Sequence, residues 1–427
     1  MRRLGLAMFV CVALVLIGGA CVATMPPSPS PSPSLTVSPT ANATPTPQPT
    51  TITLWHNWPS SWEAHYQEVI TDFNASSEDI RIEPLKVENL DEALSVAIPT
   101  GEGPDIVHGH AARIGEWAQD GLIVPLEGYV ASSFLGYRFE PAAVRAVRWQ
   151  GVYWGMPDTQ EGIALIYNRD VISTSQLPDP QDFPGLLEQA RAFRLEHPDK
   201  YYLCNPAFGQ ADAYHVAPIY LGHDLQDHGG FVDEQGNVYL TSDAAQAAAG
   251  WIAEFSKISP AEASAALCQT MFIEGQTPVW WTGARALLVL EKTDLDYGVA
   301  PMGSPLVNVT AFMLSGNARS RGHAALALKV MQTLTGVAAQ RQLAVEARVV
   351  PANRDALAAP ELRLDPIIAG FGDALHLGTP LPNHAYGDCV WGPLGEATLA
   401  IWKGRLSPAE ALEQAQTLVE SCVEEKR

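Results

Sequence analysis

The chain has 427 residues, which at roughly 150 per domain makes two or three domains and excludes a peptide hormone or a lone small module. Lysine and arginine total 26 against 47 aspartates and glutamates, and a formal charge of −21 repels phosphate backbones and anionic headgroups, which argues against nucleic acid as a partner. With 47% hydrophobic and 17% charged residues, and 11 Trp, 12 Tyr and 12 Phe, the composition is that of a folding chain with aromatic rings available to a ligand.

Arg2 and Arg3 precede an apolar run over 4–17, and Gly18, Gly19 and Ala20 lead into Cys21, the pattern of an export signal with its processing site. The run is shorter than the about 20 residues a spanning helix needs. A Cys directly after small residues resembles the bacterial lipoprotein signal, in which the thiol is acylated and becomes the new N-terminus. Ile17 stands one place further from Cys21 than that pattern puts its aliphatic residue. The competing reading makes Cys21 a small apolar residue of an uncleaved anchor, and both hold the chain at the outer face of a membrane. Residues 1–20 are thus the signal peptide, and 21–50 the lipidated Cys and a tether. Within it, residues 25–50 (MPPSPSPSPSLTVSPTANATPTPQPT) are uncharged and build no core. As extended polyproline II at ~3.1 Å per residue, that stretch reaches up to ~80 Å.

Residues 51–55 (TITLW) alternate as a strand and are broken by His56, Asn57, Trp58 and Pro59. Helical spacing follows over 62–73, period two returns at 80–84 (IRIEP), and 91–98 read as another helix before 101–107 (GEGPDIV) turn into a short buried strand. Strands alternating with helices predict an α/β fold with parallel strand pairs and ligands at the strands' carboxyl ends, where residues 56–58 and 108–110 fall. Asp105 reads as a brace for its turn rather than a ligand contact. In an exported chain Cys204, Cys268, Cys389 and Cys422 predict one or two disulfides; three connectivities are open, and no Cys or His spacing suits a structural metal.

TITLWHNW, GEGPDIVHGHAARIGEWAQDGLIVPLEGYV, YWGMPDTQEGIALIYNRDVI, VWWTGARALLVL, DYGVAPMG and VVPANRDAL, in this order, resemble the extracellular solute-binding proteins (family 1) of carbohydrate ABC importers, the maltodextrin-binding type. The resemblance spans residues 51–425. It implies a two-lobed periplasmic-binding-protein-like fold of type II, with a ligand cleft between lobes joined by hinge crossings. Gly- and Pro-punctuated breaks put crossings near 157–162, 297–303 and 350–358, so that 51–158 plus 303–352 form lobe 1 and 159–302 plus 353–427 form lobe 2. It further implies a monomeric, membrane-anchored receptor outside the cell that needs no cofactor and passes a sugar to permease subunits.

A sugar ring has apolar C–H faces and a rim of hydroxyls, so its site needs flat aromatic rings with fixed donors and acceptors. The resemblance implies Trp391 as a stacking ring, Glu161 as a sugar-binding carboxylate near the hinge, and Arg113 as a basic residue near the sugar. Trp58, Asn57, His56 and His110 are the candidates after the first strands. His108 and His110 share a strand face, but an exposed or satisfied pair is commoner than a metal site. Of Trp280 and Trp281 at least one is core, since adjacent strand residues face opposite sides, and Trp281 is the cleft candidate. The duller roles are packing for each Trp, a solvated or capping carboxylate for Glu161, and an ion pair with Glu116 for Arg113. Two departures matter: Gly283-Ala284-Arg285 stands where many members have Gly-Pro-Trp, and Ala112 where maltodextrin binders have an acidic residue. Maltodextrin specificity is therefore not implied, and Arg285 suits the carboxylate or phosphate of an acidic sugar. Two rival readings are a secreted glycosidase using Glu161 and Asp158, whose carboxylates would have to stand about 5–10 Å apart, and a sugar-sensing lipoprotein without a transporter.

Overall fold

The computed structural model describes residues 48–225 and 230–427; the export signal, Cys21 and most of the tether lie outside the described residues. In chain order the strands are β1 (Thr50–His56), β2 (Ile80–Lys86), β3 (Ile106–His110), β4 (Arg148–Trp149), β5 (Val152–Tyr153), β6 (Gly155–Glu161), β7 (Ile163–Asn168), β8 (Leu203–Cys204), β9 (Val279–Gly283), β10 (Tyr297–Ala300), β11 (Leu306–Leu314), β12 (Val350–Pro351) and β13 (Thr379–Pro380). Among the described residues, one seven-stranded sheet runs β12-β6-β11-β3-β1-β2 with β13 on β11, and a four-stranded sheet runs β10-β7-β9-β8. β1 lies parallel to β2 and β3, the β-α-β beginning predicted from the alternating periodicity. The fold is the two-lobed α/β architecture expected.

Local chemistry explains the elements that frame the first sheet's ligand edge. In β1 the side chains of Ile52, Leu54 and His56 alternate inward, so the strand buries one face. The helix Leu90–Thr100 buries Leu90, Leu94 and Ile98 at four-residue spacing and stops at Gly101, whose φ of 82° is the left-handed cap that glycine adopts freely. Asp105 then locks β3 beside β1. Its carboxyl group accepts from the Thr53 backbone N at 3.0 Å and Thr53 Oγ1 at 3.1 Å, and meets Arg321 Nη1 at 3.2 Å and His323 Nδ1 at 3.1 Å. Asp105 is thus the brace expected.

Between the sheets the chain runs through tight passages. β6 passes directly into β7 at Gly162, where a Cβ would stand 2.8 Å from the Leu306 carbonyl oxygen. The return from β10 to β11 passes Gly303, whose φ is +65° and whose Cβ would collide with the Pro218 carbonyl. After β12 the short helices Arg354–Leu357 and Pro360–Leu364 stay beside the helix Val337–Ala347, so the passage expected near 350–358 comes instead at about Asp365. The helix Pro366–His376 packs on β10 and β7, and β13 returns to β11. A further passage, residues 381–387, leads into the helix Asp388–Trp402 and is pinned at Asn383. Its carbonyl accepts from Gly115 N at 2.9 Å, and its Nδ2 donates to Ala146 O at 2.8 Å and Arg148 O at 2.9 Å. Both disulfides lie outside the seven-stranded sheet: Cys204–Cys268 ties β8 to the helix Ala265–Ile273, and Cys389–Cys422 ties the helices Asp388–Trp402 and Pro408–Lys426.

Candidate ligand-binding cleft

A cleft of about 400 Å³ opens between the two sheets, at the carboxyl ends of β1, β3 and β6. That volume falls within the ~300–1,000 Å³ of small-molecule sites. The first sheet supplies a polar wall: Asn57 follows β1, His108 and His110 end β3, Gln160 and Glu161 end β6, and Asn308 and Thr310 come from β11. His110 Nδ1 stands 3.2 Å from Asn308 Oδ1, which holds the ring across the strand pair. Glu161 and Arg285 leave the same end of the β7–β9 ladder, which closes at the pair Ile163–Gly283, so they meet the cleft from opposite sheets, and Arg348 adds a second positive charge to its lining. Glu161 and Arg285 both act on Tyr214, whose hydroxyl burial pushes up to about 12, with Glu161 reinforcing and Arg285 opposing the shift. Tyr214 was not singled out from the sequence.

Beneath this wall lies a packed aromatic and polar layer. The Trp58 ring is sandwiched between His56, with centroids 3.7 Å apart, and Tyr66, at 4.3 Å. Tyr66 Oη donates to the Asp158 carboxyl oxygens at 2.6 and 2.7 Å, and His108 Nε2 stands 2.9 Å from Asp158 Oδ2. Trp58 Nε1, His108 Nδ1 and Gln160 Oε1, all on cleft-wall residues, are buried without a hydrogen-bond partner. Buried polar groups are normally paired, so this wall retains bonding capacity that the protein does not use.

The structure brings Asn57, Trp58, His110, Glu161 and Arg285 together on the cleft and leaves the other sequence candidates off its lining. His56 is buried beneath Trp58 rather than facing the cleft. Trp281 does not reach it, because both faces of the four-stranded sheet are covered and Trp280 and Trp281 are alike buried. Arg113 is held away by Asp91 at 3.0 Å and Glu116 at 2.8 Å, the ion pair weighed as its duller role. Trp391 lies half-buried in the first turn of the helix Asp388–Trp402; one turn on, Gly395 abuts Ala211 and Asp212 before the helix Ala213–Gly222. Sequence reasoning missed Trp62, Asn308 and Leu288. A polar pair two apart in an otherwise apolar strand, Asn308 and Thr310, was the available signal for β11.

Burial lowers the pKa of His56 to about 4, with His108 adding to the effect. Burial also lowers His110, against the opposing Asn308 contact, and His223 and His384 move the same way. An unfolded His56 takes up its proton near 6.5 and the folded one only near 4. Over that interval the unfolded state binds more protons, so stability falls as pH drops from about 6.5 towards 4. Thermal melts across this window should show a declining midpoint, and His56→Asn should reduce the decline; an unchanged slope in that variant would assign the acid sensitivity to other groups.

Among the described residues no helix is long and apolar enough to cross a membrane, and no group of three His, Cys, Asp or Glu side chains could hold a metal ion. The sequence profile described as bacterial extracellular solute-binding protein matches residues 68–370. A maltotriose-binding protein of Pyrococcus abyssi is 27% identical over 355 residues, covering 80% of this chain and 75% of its own. A maltooligosaccharide ABC transporter solute-binding lipoprotein of Streptococcus pneumoniae is 21% identical over 356 residues, 78% of this chain and 80% of that one. Among solved structures, a cyclo/maltodextrin-binding protein complexed with maltotetraose superposes with a TM-score of 0.76 at 21% identity, covering 89% of this chain and 99% of that chain.

Proposed function

The chain belongs to the bacterial extracellular solute-binding proteins, and we propose that it captures a sugar or oligosaccharide between its lobes and delivers it to the permease subunits of an ABC importer. The observation that carries this reading is the interlobe cleft, with Asn57, His110, Glu161 and Asn308 on one side and Arg285 on the other. A guest touching both walls makes more contacts when the lobes close, and that difference shifts the population towards the closed form. The similarity to the maltotriose- and maltooligosaccharide-binding relatives supports a carbohydrate ligand. The signal ending at Cys21 and the streptococcal relative's description as a lipoprotein support a lipid anchor at the outer face of the membrane, with the Pro/Ser/Thr tract as spacer and the receptor a monomer. We assign the seven-stranded sheet with residues up to about 364 to lobe 1, apart from the insertion of residues 163–302, and the four-stranded sheet with the disulfide-tied helices to lobe 2.

Binding without catalysis is the reading favoured here. Glu161 is the one acidic residue lining the cleft, and Asp158 is buried and engaged by Tyr66 and His108, so the two opposed carboxylates of a glycosidase are not assembled. Incubation with oligosaccharides is the direct check, since turnover would end this reading. Thermal-shift screening against mono- and oligosaccharides tests capture itself, because a ligand raises stability by RT ln(1 + [L]/Kd).

Trp62 is the half-buried aromatic ring on the cleft and the better stacking platform in this geometry. Trp62→Ala should weaken binding of the best saccharide found by about tenfold or more, and by more than Trp391→Ala does. Calorimetry giving the reverse order would move the stacked ring to Trp391.

A further inference from the structure

We propose that the cleft takes a saccharide bearing an apolar substituent, such as a glycoside with an alkyl or aryl group at its anomeric oxygen, rather than an unsubstituted sugar. The proposal rests on the carbohydrate reading above and narrows it. Its basis is that the two walls of the cleft differ in kind.

The first sheet's wall offers amide, imidazole and carboxylate groups that match a hydroxyl rim. Facing it, beside Arg285, are Leu287, Leu288, Ile367, Ile368 and Phe371. Leu288 is 67% exposed at the lip, while Leu287, Ile367, Ile368 and Phe371 are between 2% and 6% exposed and form an aliphatic floor behind it. A sugar hydroxyl laid on the aliphatic part of that wall, away from Arg285 and Arg348, leaves water and finds no acceptor or donor, which costs affinity. A sugar's C–H face would tolerate a flat aromatic ring there, but Phe371, the one aromatic on this wall, is 2% exposed and presents no platform. The Gly283-Ala284-Arg285 segment adds no ring either. An exposed leucine continuous with buried aliphatics is instead the surface that gains from covering hydrocarbon. The polar wall orients the sugar, and the aliphatic wall takes the substituent.

The test compares methyl and n-butyl β-maltosides, and the same pair of β-lactosides, by calorimetry on the purified protein. Each methylene fully removed from water is worth about fourfold in affinity, so three of them against a partly open wall should make the butyl form at least about tenfold tighter. Leu288→Ser should shrink that ratio several-fold. A ratio of one or less, with the methyl glycoside bound, overturns the substituent proposal and keeps the carbohydrate reading. A tenfold advantage untouched by Leu288→Ser places the alkyl chain elsewhere and overturns the assignment of this wall. Failure of all four glycosides to bind, while an unsubstituted saccharide from the thermal-shift screen does bind, overturns the substituent proposal alone; failure of every saccharide removes the carbohydrate reading and this proposal with it.

Discussion

Replacing Asp158 with alanine should lower the unfolding free energy by about 3–5 kcal/mol, the range for removing one partner from a buried polar or ionic network. Asp158 is 0% exposed and joins three elements: Tyr66 in the helix Ser60–Ser76, His108 in β3, and its own β6. Burial and the neighbouring carboxyl group raise the Tyr66 pKa well above its ordinary value, so the hydroxyl keeps its proton and serves as donor. Alanine leaves that donor and His108 Nε2 buried without their acceptor. Asp158→Asn retains a carbonyl oxygen at the same place and should cost less, about 1–3 kcal/mol. Urea unfolding of both variants measures the difference, and a loss below about 1 kcal/mol for alanine would mean that water repairs the network. Since His108 and Trp58 form the back of the cleft, the alanine variant should also bind saccharide more weakly than the asparagine variant at equal folded fraction.

The second large effect concerns the disulfides. Cys204 and Cys268 are 64 residues apart, and closing a loop of that length in the unfolded chain is worth about 4 kcal/mol on the chain-entropy account. Substituting both by alanine should lower stability by about that amount, within a usual range of 2–5 kcal/mol. Cys389 and Cys422, 33 residues apart, should contribute slightly less, because the loop term grows only logarithmically. Thermal denaturation of the two double variants and of the reduced wild type checks the order, and additive losses are expected because the pairs join different elements. A wild type whose melting is indifferent to reductant would show that native packing alone holds these helices. Two disulfides form and persist in an oxidising compartment, in keeping with an exported chain.

These effects mark where sequence reasoning was strong. The alternation in β1, the four-residue spacing before Gly101, and the Gly and Pro punctuation near 162 and 303 are local signals, set by backbone geometry within a few residues. They made the α/β order legible, and ordered strings along the chain made the family legible. Asn57 and His110 were legible as cleft-lining residues for a related reason: they stand at or just after strand ends, which in such folds gather at one edge, whereas Glu161 was found through the family resemblance and Arg285 through its departure from the family's pattern.

Trp281, Arg113 and His56 lie off the cleft lining, and the sequence did not show it because their surroundings depend on partners far away in the chain. Trp281 is buried because both faces of the four-stranded sheet are covered, and Arg113 is held by Asp91, 22 residues earlier. Trp62 and Leu288 reach the cleft only because the helix Ser60–Ser76 and the segment after β9 come to opposite sides of one opening. By itself the sequence determined the elements, their order, the export address and the kind of receptor. The tertiary structure alone decided which rings face a guest, which are sealed beneath them and that one wall is aliphatic, because solvent exposure is a property of packed surfaces and not of neighbours along the chain.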